Sequence, residues 1–266
     1  TAQGINVFEV SGCTTVFGHE GEFLTFDHGA LGMAPMYVHG HADALSVTVF
    51  KNGVPFFVDP GTYRYNGPQD FRRWFKGTPA HNTVTVDGAD QARQLTSFAW
   101  EKGYQVEWRI LEQLDNEIGI IAEFDWTSEL SCEELVHVRR FCYRQGSCLI
   151  SDWFRGSEVH NFEQHFIHHP DVVVKANGEW MVLENQGEKI RIAFLNDRCD
   201  YFDKSSHRAW YSKKYGHMEP TGLFSCKKRG VADSVRFDTV LHFGADRKRS
   251  EVLKLFETAD RQDNTV

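Results

Sequence analysis

Apolar and polar positions alternate with a period of two along much of this 266-residue chain. The stretch 45–50 shows the alternation most clearly, which is the pattern of a strand that buries one face. Asn52-Gly53 follows it, and Asn-Gly readily adopts the positive φ angles of a tight turn. Residues 54–58 are therefore predicted to return as the second strand of a hairpin.

Short segments of the same kind continue to the far end of the chain. They lie at residues 83–86, 104–111, 118–124, 135–143, 149–154, 160–167, 172–175, 180–183, 189–194 and 237–243. Short strands at this spacing predict an all-β sandwich or barrel rather than a parallel α/β sheet. The best helix signal covers residues 70–76 and predicts one or two turns on a connection.

Composition and charge narrow the class of protein. Hydrophobic residues make up 41% of the chain, and no low-complexity tract reads as a linker, so one compact unit over residues 1–266 is expected. The net charge of -8 argues against a general affinity for nucleic acid or for anionic membranes. No apolar run is long enough to cross a bilayer.

The cysteines and the start of the chain carry less information. Six cysteines show no CxxC pair and no metal-finger spacing, so they are interpreted as buried thiols, with a disulfide or two left open. The sequence begins at Thr1 without a signal peptide, which suggests a processed or excised piece.

One short region is suited to holding an anion. Between residues 60 and 80, Arg64, Arg72, Arg73 and Lys76 stand against the single Asp70. A solvated loop is the alternative interpretation.

Candidate chemistry concentrates just before the predicted hairpin. His39, His41 and Asp43 occupy alternating positions, so an extended segment would project all three to one side. The two imidazoles would then stand roughly 7 Å apart. That distance favours one imidazole as a metal ligand and the other as a group that works beside the metal.

Two further residues complete the candidate metal site. The hairpin turn should bring Asp59 back near His41, and His81 opens the next predicted strand. Two histidines, a carboxylate and an open position suit Zn²⁺ or another divalent cation. The alternative is that each histidine is an ordinary polar residue at a strand end.

The longest motifs resemble a known family. The runs HGHADALSVTVFKNGVPFFVDPGTYRY and FRRWFKGTPAHNTVTVDG, with HVRRFCYRQGSCLISDWFRG and WYSKKYG further on, resemble the heparinase II/III-like domain of lyases that act on heparin, heparan sulfate and alginate. The resemblance covers most of the chain. It implies a large antiparallel β-sandwich (a supersandwich) with few or no helices, in a bacterial protein that is periplasmic or secreted.

The resemblance also implies roles for individual residues. His39 would be catalytic, and His41, Asp59 and His81 would hold a structural metal, usually zinc. Asp43 and Asn82 would support the metal ligands by fixing the orientation of the imidazoles.

The implied reaction is β-elimination at a uronic acid of an acidic polysaccharide, such as a glycosaminoglycan or alginate. It needs neutralisation of the uronate, a base near neutral pKa and a proton donor at the leaving oxygen. An imidazole can serve as the base or the neutralising group. Arg72 or Arg73 would pair with carboxylate or sulfate, and Tyr65 would line the rim, although a tyrosine beside a turn often only packs.

This chain departs from the family in one respect. Full-length members carry an α-helical toroid that supplies a tyrosine acid and other residues of the cleft, and no helical array is predicted here. We therefore expect this chain to supply only half of an active site. A toroid in the full-length protein or a partner chain would supply the other half, or else the domain no longer catalyses the reaction. The alternatives are a carbohydrate-binding or scaffold sandwich with a structural metal, and a metallohydrolase with Asp43 as base.

Overall fold

A computed structural model describes residues 4–66, 69–195 and 198–257. Every strand pair within these ranges is antiparallel, and the strands form sheets of five, eight, four and two strands. The predicted all-β, antiparallel fold is confirmed. The two ends of the predicted single domain, residues 1–3 and 258–266, lie outside the described residues.

The five-stranded sheet is a meander in chain order. Its strands are β1 (Gly4–Phe8), β2 (Cys13–Phe17), β3 (Glu22–Asp27), β4 (Val47–Lys51) and β5 (Val54–Phe57). The predicted hairpin is confirmed as β4–β5, in which Lys51 pairs with Val54. Asn52 and Gly53 adopt φ angles of 48° and 78°, as the tight turn requires.

The remaining strands build three sheets. The eight-stranded sheet has the order β12-β13-β14-β19-β10-β9-β8-β7, the four-stranded sheet β15-β18-β11-β6, and the last is the hairpin β16-β17. Their bounds are β6 (Val84–Val86), β7 (Glu107–Leu114), β8 (Glu117–Asp125), β9 (Val136–Arg144), β10 (Ser147–Arg155), β11 (Val159–Ile167), β12 (Val173–Asn177), β13 (Trp180–Asn185), β14 (Glu188–Leu195), β15 (Cys199–Phe202), β16 (Ala209–Lys214), β17 (His217–Thr221), β18 (Leu223–Val231) and β19 (Arg236–His242).

One large apolar core joins the three larger sheets. Phe26 of β3 stacks on Phe141 of β9 with ring centroids 5.2 Å apart, and Phe57 of β5 meets Phe166 of β11 at 5.4 Å. All four rings are fully buried. Burial of each such side chain contributes about 1.5–3 kcal/mol, so the sandwich is a stable frame for the loops at its edge.

Helices are few and short. They are α1 (Gln69–Lys76), α2 (Thr127–Leu130) and α3 (Arg249–Leu253). The helix predicted at 70–76 is thus confirmed as α1, and the backbone carbonyl of Lys76 at its end accepts a hydrogen bond from the amide of Ala42 (2.8 Å). Among the described residues, no helix has the length and apolar character needed to span a lipid bilayer.

Several local predictions are wrong. The segment 39–46 is not extended, because His39 and Leu45 adopt φ angles of 67° and 64°, and β4 starts only at Val47. Strands β1–β3 and β15–β18 were not predicted. Cys199 and Cys226 pair across β15 and β18 as a disulfide, which the cysteine spacing had left open.

Candidate metal and catalytic site

Four side chains converge at the edge of the five-stranded sheet. One ligand atom from each of His41, Asp43, Asp59 and His81 lies within 4.8 Å of the others. The rings of His41 and His81 are 5.2 Å apart, and His81 Nδ1 is 3.1 Å from Asp59 Oδ2. The structure therefore brings the three predicted ligand residues together and places Asp43 among them, rather than behind them.

The β4–β5 hairpin delivers Asp59 to this cluster. After β5 the chain turns, and Asp59 Oδ1 accepts a hydrogen bond from the Gly61 amide (2.8 Å), which leaves Oδ2 for His81. Gly61 has a φ of 80°, and a Cβ at this position would lie 2.4 Å from the Ser212 carbonyl oxygen. Only glycine allows this turn, so the backbone fixes the direction of the carboxylate.

A short 3₁₀ turn, Thr78–Ala80, places His81 in the interior. Its Nδ1 faces Asp59, and its Nε2 is buried without a hydrogen-bond partner among the described residues. Buried polar atoms are nearly always satisfied, and an exception needs an explanation. An ordered water on the side of the ring away from Asp59 would provide one.

The segment 39–46 is held by hydrogen bonds to its backbone. The carbonyls of residues 40, 41 and 44 accept from Trp100 Nε1 (2.9 Å), Tyr104 Oη (3.2 Å) and Thr83 Oγ1 (2.9 Å). These bonds compensate for the irregular φ angles of the segment, which would otherwise leave buried carbonyls unpaired. The positions of His41 and Asp43 are therefore set by side chains outside the segment.

The electrostatics of the cluster favour a cation. Burial, and then the charge of His81, lower the pKa of His41 to about 3, so this imidazole is neutral and free to bind a metal. Burial raises the pKa of Asp43 to about 8, and the nearby carboxylates of Asp27 and Asp59 add to the shift while His81 opposes it. Carboxylates thus crowd around a single imidazole that can carry a proton.

Asp59 and His81 shift each other in opposite directions. Burial would raise the pKa of Asp59, but the hydrogen bond and the charge of His81 outweigh it and lower the pKa to about 2. Burial would lower the pKa of His81, but the bond to Asp59 and the charges of Asp59, Asp43 and Asp27 raise it. The carboxylates around His81 thus favour its protonated form, as they would favour a bound cation.

Asn82 has a different task from the one predicted. Its Nδ2 donates to the carbonyls of Val47 (2.8 Å) and Val58 (3.1 Å), and its Oδ1 accepts from the Ile167 amide (2.6 Å). Within the described residues the expected contact with an imidazole is not formed, because the amide group bonds to strands β4 and β11 and to Val58, just after β5. Asn82 therefore supports the site through the backbone on either side of the ligands.

Sequence reasoning missed Arg139, which lies behind the site. Its Nη1 donates to the carbonyls of Leu45 (2.6 Å) and Asn82 (2.7 Å), and its Nε and Nη2 bind the two oxygens of Asp152 (2.6 and 2.8 Å). The sequence did contain a signal: Arg139 and Asp152 stand among apolar residues in two clearly predicted strands. A charged residue buried in this way requires a partner of opposite charge.

His39 stays outside the metal cluster. It is exposed, and its ring stands edge-on to Tyr65 with centroids 5.4 Å apart. Tyr65 stacks on Phe98 at 5.5 Å, and the Arg72 guanidinium lies 5.2 Å from the centre of the Tyr65 ring. His39 is thus a solvent-facing imidazole held beside a small aromatic surface.

Helix α1 separates the two adjacent arginines. Arg72 is only 3% exposed, and its Nε donates to the Ser97 carbonyl (3.1 Å). Arg73 faces solvent. We predicted that only one of these two arginines contacts the substrate. The buried Arg72 does not fit that role, so substrate contact stays a prediction for Arg73 alone.

The fold is an antiparallel β-sandwich domain with four candidate metal ligands at one edge. The sequence profile described as "Heparinase II/III-like, C-terminal" matches residues 3–251, so the chain belongs to this family. The profile is that of the C-terminal domain of heparinase II/III-like proteins. A search of curated protein sequences gives no match.

Solved structures show the same fold. The heparan sulfate lyase HepC from Pedobacter heparinus is similar over 93% of this chain and 38% of its own length, with a TM-score of 0.72 and 17% identity. A heparinase III is similar over 92% of this chain and 38% of its own, with a TM-score of 0.70 and 16% identity. The chain therefore spans about two fifths of the length of these lyases, and at this identity the likeness shows the fold alone.

Proposed function

We propose that this domain supplies one catalytic imidazole and a structural metal site to a lyase that cleaves a uronic-acid-containing polysaccharide by β-elimination. The separation of His39 from the cluster of His41, Asp59 and His81 is the observation that carries the proposal. One loop thus presents one imidazole to solvent, where a base for the elimination is needed, and another to the cluster of candidate metal ligands.

A divalent cation fits the cluster. The donor set consists of imidazole nitrogens and carboxylate oxygens, which suits Zn²⁺, and His81 Nδ1 already stands 3.1 Å from Asp59 Oδ2. When bound, the cation would hold three segments of chain together and offset the charge of the carboxylates. It would take no part in bond breaking.

His39 is assigned the removal of the proton from the carbon beside the uronate carboxylate. The electron pair of that C–H bond forms the new double bond, the bond to the glycosidic oxygen breaks, and the oxygen receives a proton from a donor. The resemblance places that donor on an α-helical toroid in the full-length protein or on a partner chain. Tyr65 supports the His39 ring. The solvent-facing Arg73 is assigned the binding of a carboxylate or sulfate of the substrate.

The test uses the full-length enzyme and heparan sulfate or alginate as substrate. Elimination is followed by the ultraviolet absorbance of the unsaturated uronate, with metal content and melting temperature measured on the same samples. His39→Ala is expected to lower the rate by 10²-fold or more, since general acid–base catalysis contributes about 10²–10⁴-fold, without changing either of the other two quantities. His41→Ala should lose metal and stability together.

His19→Ala is the matched control, because His19 is an exposed histidine in the turn between β2 and β3. It should leave all three quantities unchanged. Full activity of His39→Ala would contradict the assignment of the base. A wild-type protein that binds the polysaccharide but forms no unsaturated product would instead support a carbohydrate-binding or scaffold domain.

A further inference from the structure

We infer that Asp43 is a fourth protein ligand of the metal, which makes the site closed. The inference deepens the proposed function, since it rests on the same metal site. Asp43 binds the metal directly instead of orienting an imidazole. With this fourth ligand, no coordination position remains for a reactive water.

The position of Asp43 relative to the other three residues carries this inference. An oxygen of Asp43 belongs to the set of four atoms that all lie within 4.8 Å of one another, together with atoms of His41, Asp59 and His81. A supporting residue would stand behind one imidazole instead. Tetrahedral zinc with four protein ligands is the usual arrangement of a structural site.

The backbone around Asp43 fixes this placement. The Ala42 amide donates to the Lys76 carbonyl (2.8 Å), and the Ser46 amide donates to the carbonyl of Asp43 itself (3.0 Å). The chain bends at this point, with Leu45 in the left-handed region at a φ of 64°. The Asp43 side chain is therefore held beside the cluster by a turn that begins at this residue.

The local charge agrees with coordination. Asp27, Asp43 and Asp59 lie near one another, and of these Asp27 already uses Oδ1 to accept a hydrogen bond from the Gly29 amide (2.8 Å). A partly buried carboxylate beside two others is costly unless a cation offsets it. Two carboxylate ligands on a divalent ion would give a neutral centre, which suits a site at the edge of an apolar core.

A closed site separates this protein from a metallohydrolase. Catalytic zinc keeps three protein ligands and one exchangeable position, whereas a structural zinc is fully bound by side chains. With Asp43 as a ligand, no carboxylate of the cluster remains to act as base for a metal-bound water. The metal then fixes the loop that carries His39 and does not meet the sugar.

The test replaces zinc with Co²⁺, whose visible absorption reports coordination number and ligand exchange. Cobalt-loaded wild-type protein should show the intense bands of a tetrahedral centre, and these should not change when azide is added. Asp43→Ala should open a position, so that azide alters its spectrum. Its affinity for zinc should fall by more than the roughly 10–100-fold that loss of a supporting residue costs.

Asp27→Asn is the matched control, because it removes a neighbouring carboxylate that is not among the four ligand atoms. It should keep the wild-type spectrum and lose less than about tenfold in affinity. If Asp43→Ala does not fold, the response of wild-type protein to azide still decides the question, and Asp43→Asn provides a milder variant.

Two results would overturn the inference alone: azide altering the wild-type spectrum, or Asp43→Ala keeping the wild-type spectrum and affinity. Failure of the chain to bind any divalent metal would overturn both this inference and the metal site of the proposed function. The role of His39 is tested separately, by elimination in the full-length enzyme.

Discussion

Arg139 and Asp152 face each other across the paired strands β9 and β10 and form a two-pronged ion pair with no exposed surface. The remaining nitrogen of the guanidinium binds the carbonyls of Leu45 and Asn82. These carbonyls belong to the two segments that carry Asp43 and His81. The ion pair therefore connects the interior of the large sheet to the metal cluster.

Removal of Arg139 should destabilise the protein strongly. Arg139→Met leaves the Asp152 carboxylate buried without its main partner, which costs about 3–5 kcal/mol. Urea denaturation measures the loss. Arg109→Met is the control, since Arg109 is 60% exposed and 3.9 Å from Glu123, and such a pair contributes about 0–1 kcal/mol. Equal losses in the two variants would contradict a structural role for the buried pair.

Asn82→Asp should weaken the framework with almost no change in shape. A carboxylate cannot donate to the carbonyls of Val47 and Val58, and each buried group left unsatisfied costs about 1–3 kcal/mol. We expect a loss of about 2 kcal/mol or more in the free energy of unfolding, and weaker metal binding in an equilibrium competition assay. Asn6→Asp, at an exposed position of β1, should change neither.

Substitutions of the two arginines of helix α1 should have different effects, one on stability and the other on substrate binding. Arg72→Ala removes a buried guanidinium that bonds to the Ser97 carbonyl and packs on Tyr65, so the melting temperature should fall by several degrees. Arg73→Ala should leave the melting temperature unchanged and raise KM of the full-length enzyme. The idea is wrong if KM responds only to Arg72→Ala.

Acid should unfold the protein through histidines that are buried in the neutral form. Burial lowers the pKa of His28 and of His168 to about 4, from an ordinary value of 6.5. The unfolded chain takes up protons below 6.5 while the folded chain does not, so their contribution is present above pH 6.5 and is lost as pH falls towards 4.

Each of these two groups should contribute up to about 1.4 kcal/mol per pH unit to the slope of stability between pH 6 and pH 4. The measurement is urea denaturation across this range. His28→Gln keeps a polar group beside Thr14 Oγ1, which is 2.9 Å from His28 Nε2, but does not titrate. A slope unchanged by His28→Gln would refute this contribution.

The sequence predicts the parts of this molecule that depend on local chemistry. Asn52-Gly53 specifies its turn through backbone preference, and the period of two identifies most strands of the large sheet. The bends at His39 and Leu45 were not predictable, because their φ angles are stabilised by distant partners. Arg139, for example, is 94 positions from Leu45.

The candidate site shows the same division. The identities of His41, Asp59 and His81 and their convergence followed from the hairpin and from the family motifs. The placement of Asp43 did not, since it depends on the bend of the segment 39–46 rather than on alternation along a strand. Which of Arg72 and Arg73 faces solvent did not follow from the sequence either, because the helix turns Arg72 inward beneath Tyr65.

The residues that support the cluster lie far from it along the chain, and this separation affects the order of events during synthesis. All four side chains of the cluster lie between residues 41 and 81, but Arg139, Asp152 and Ile167 are synthesised much later. A nascent chain therefore displays every group that could capture an ion long before the scaffold that orders them exists. Tight binding of the proposed ion therefore requires at least the strand that ends at Ile167, which is synthesised long after all four side chains of the cluster.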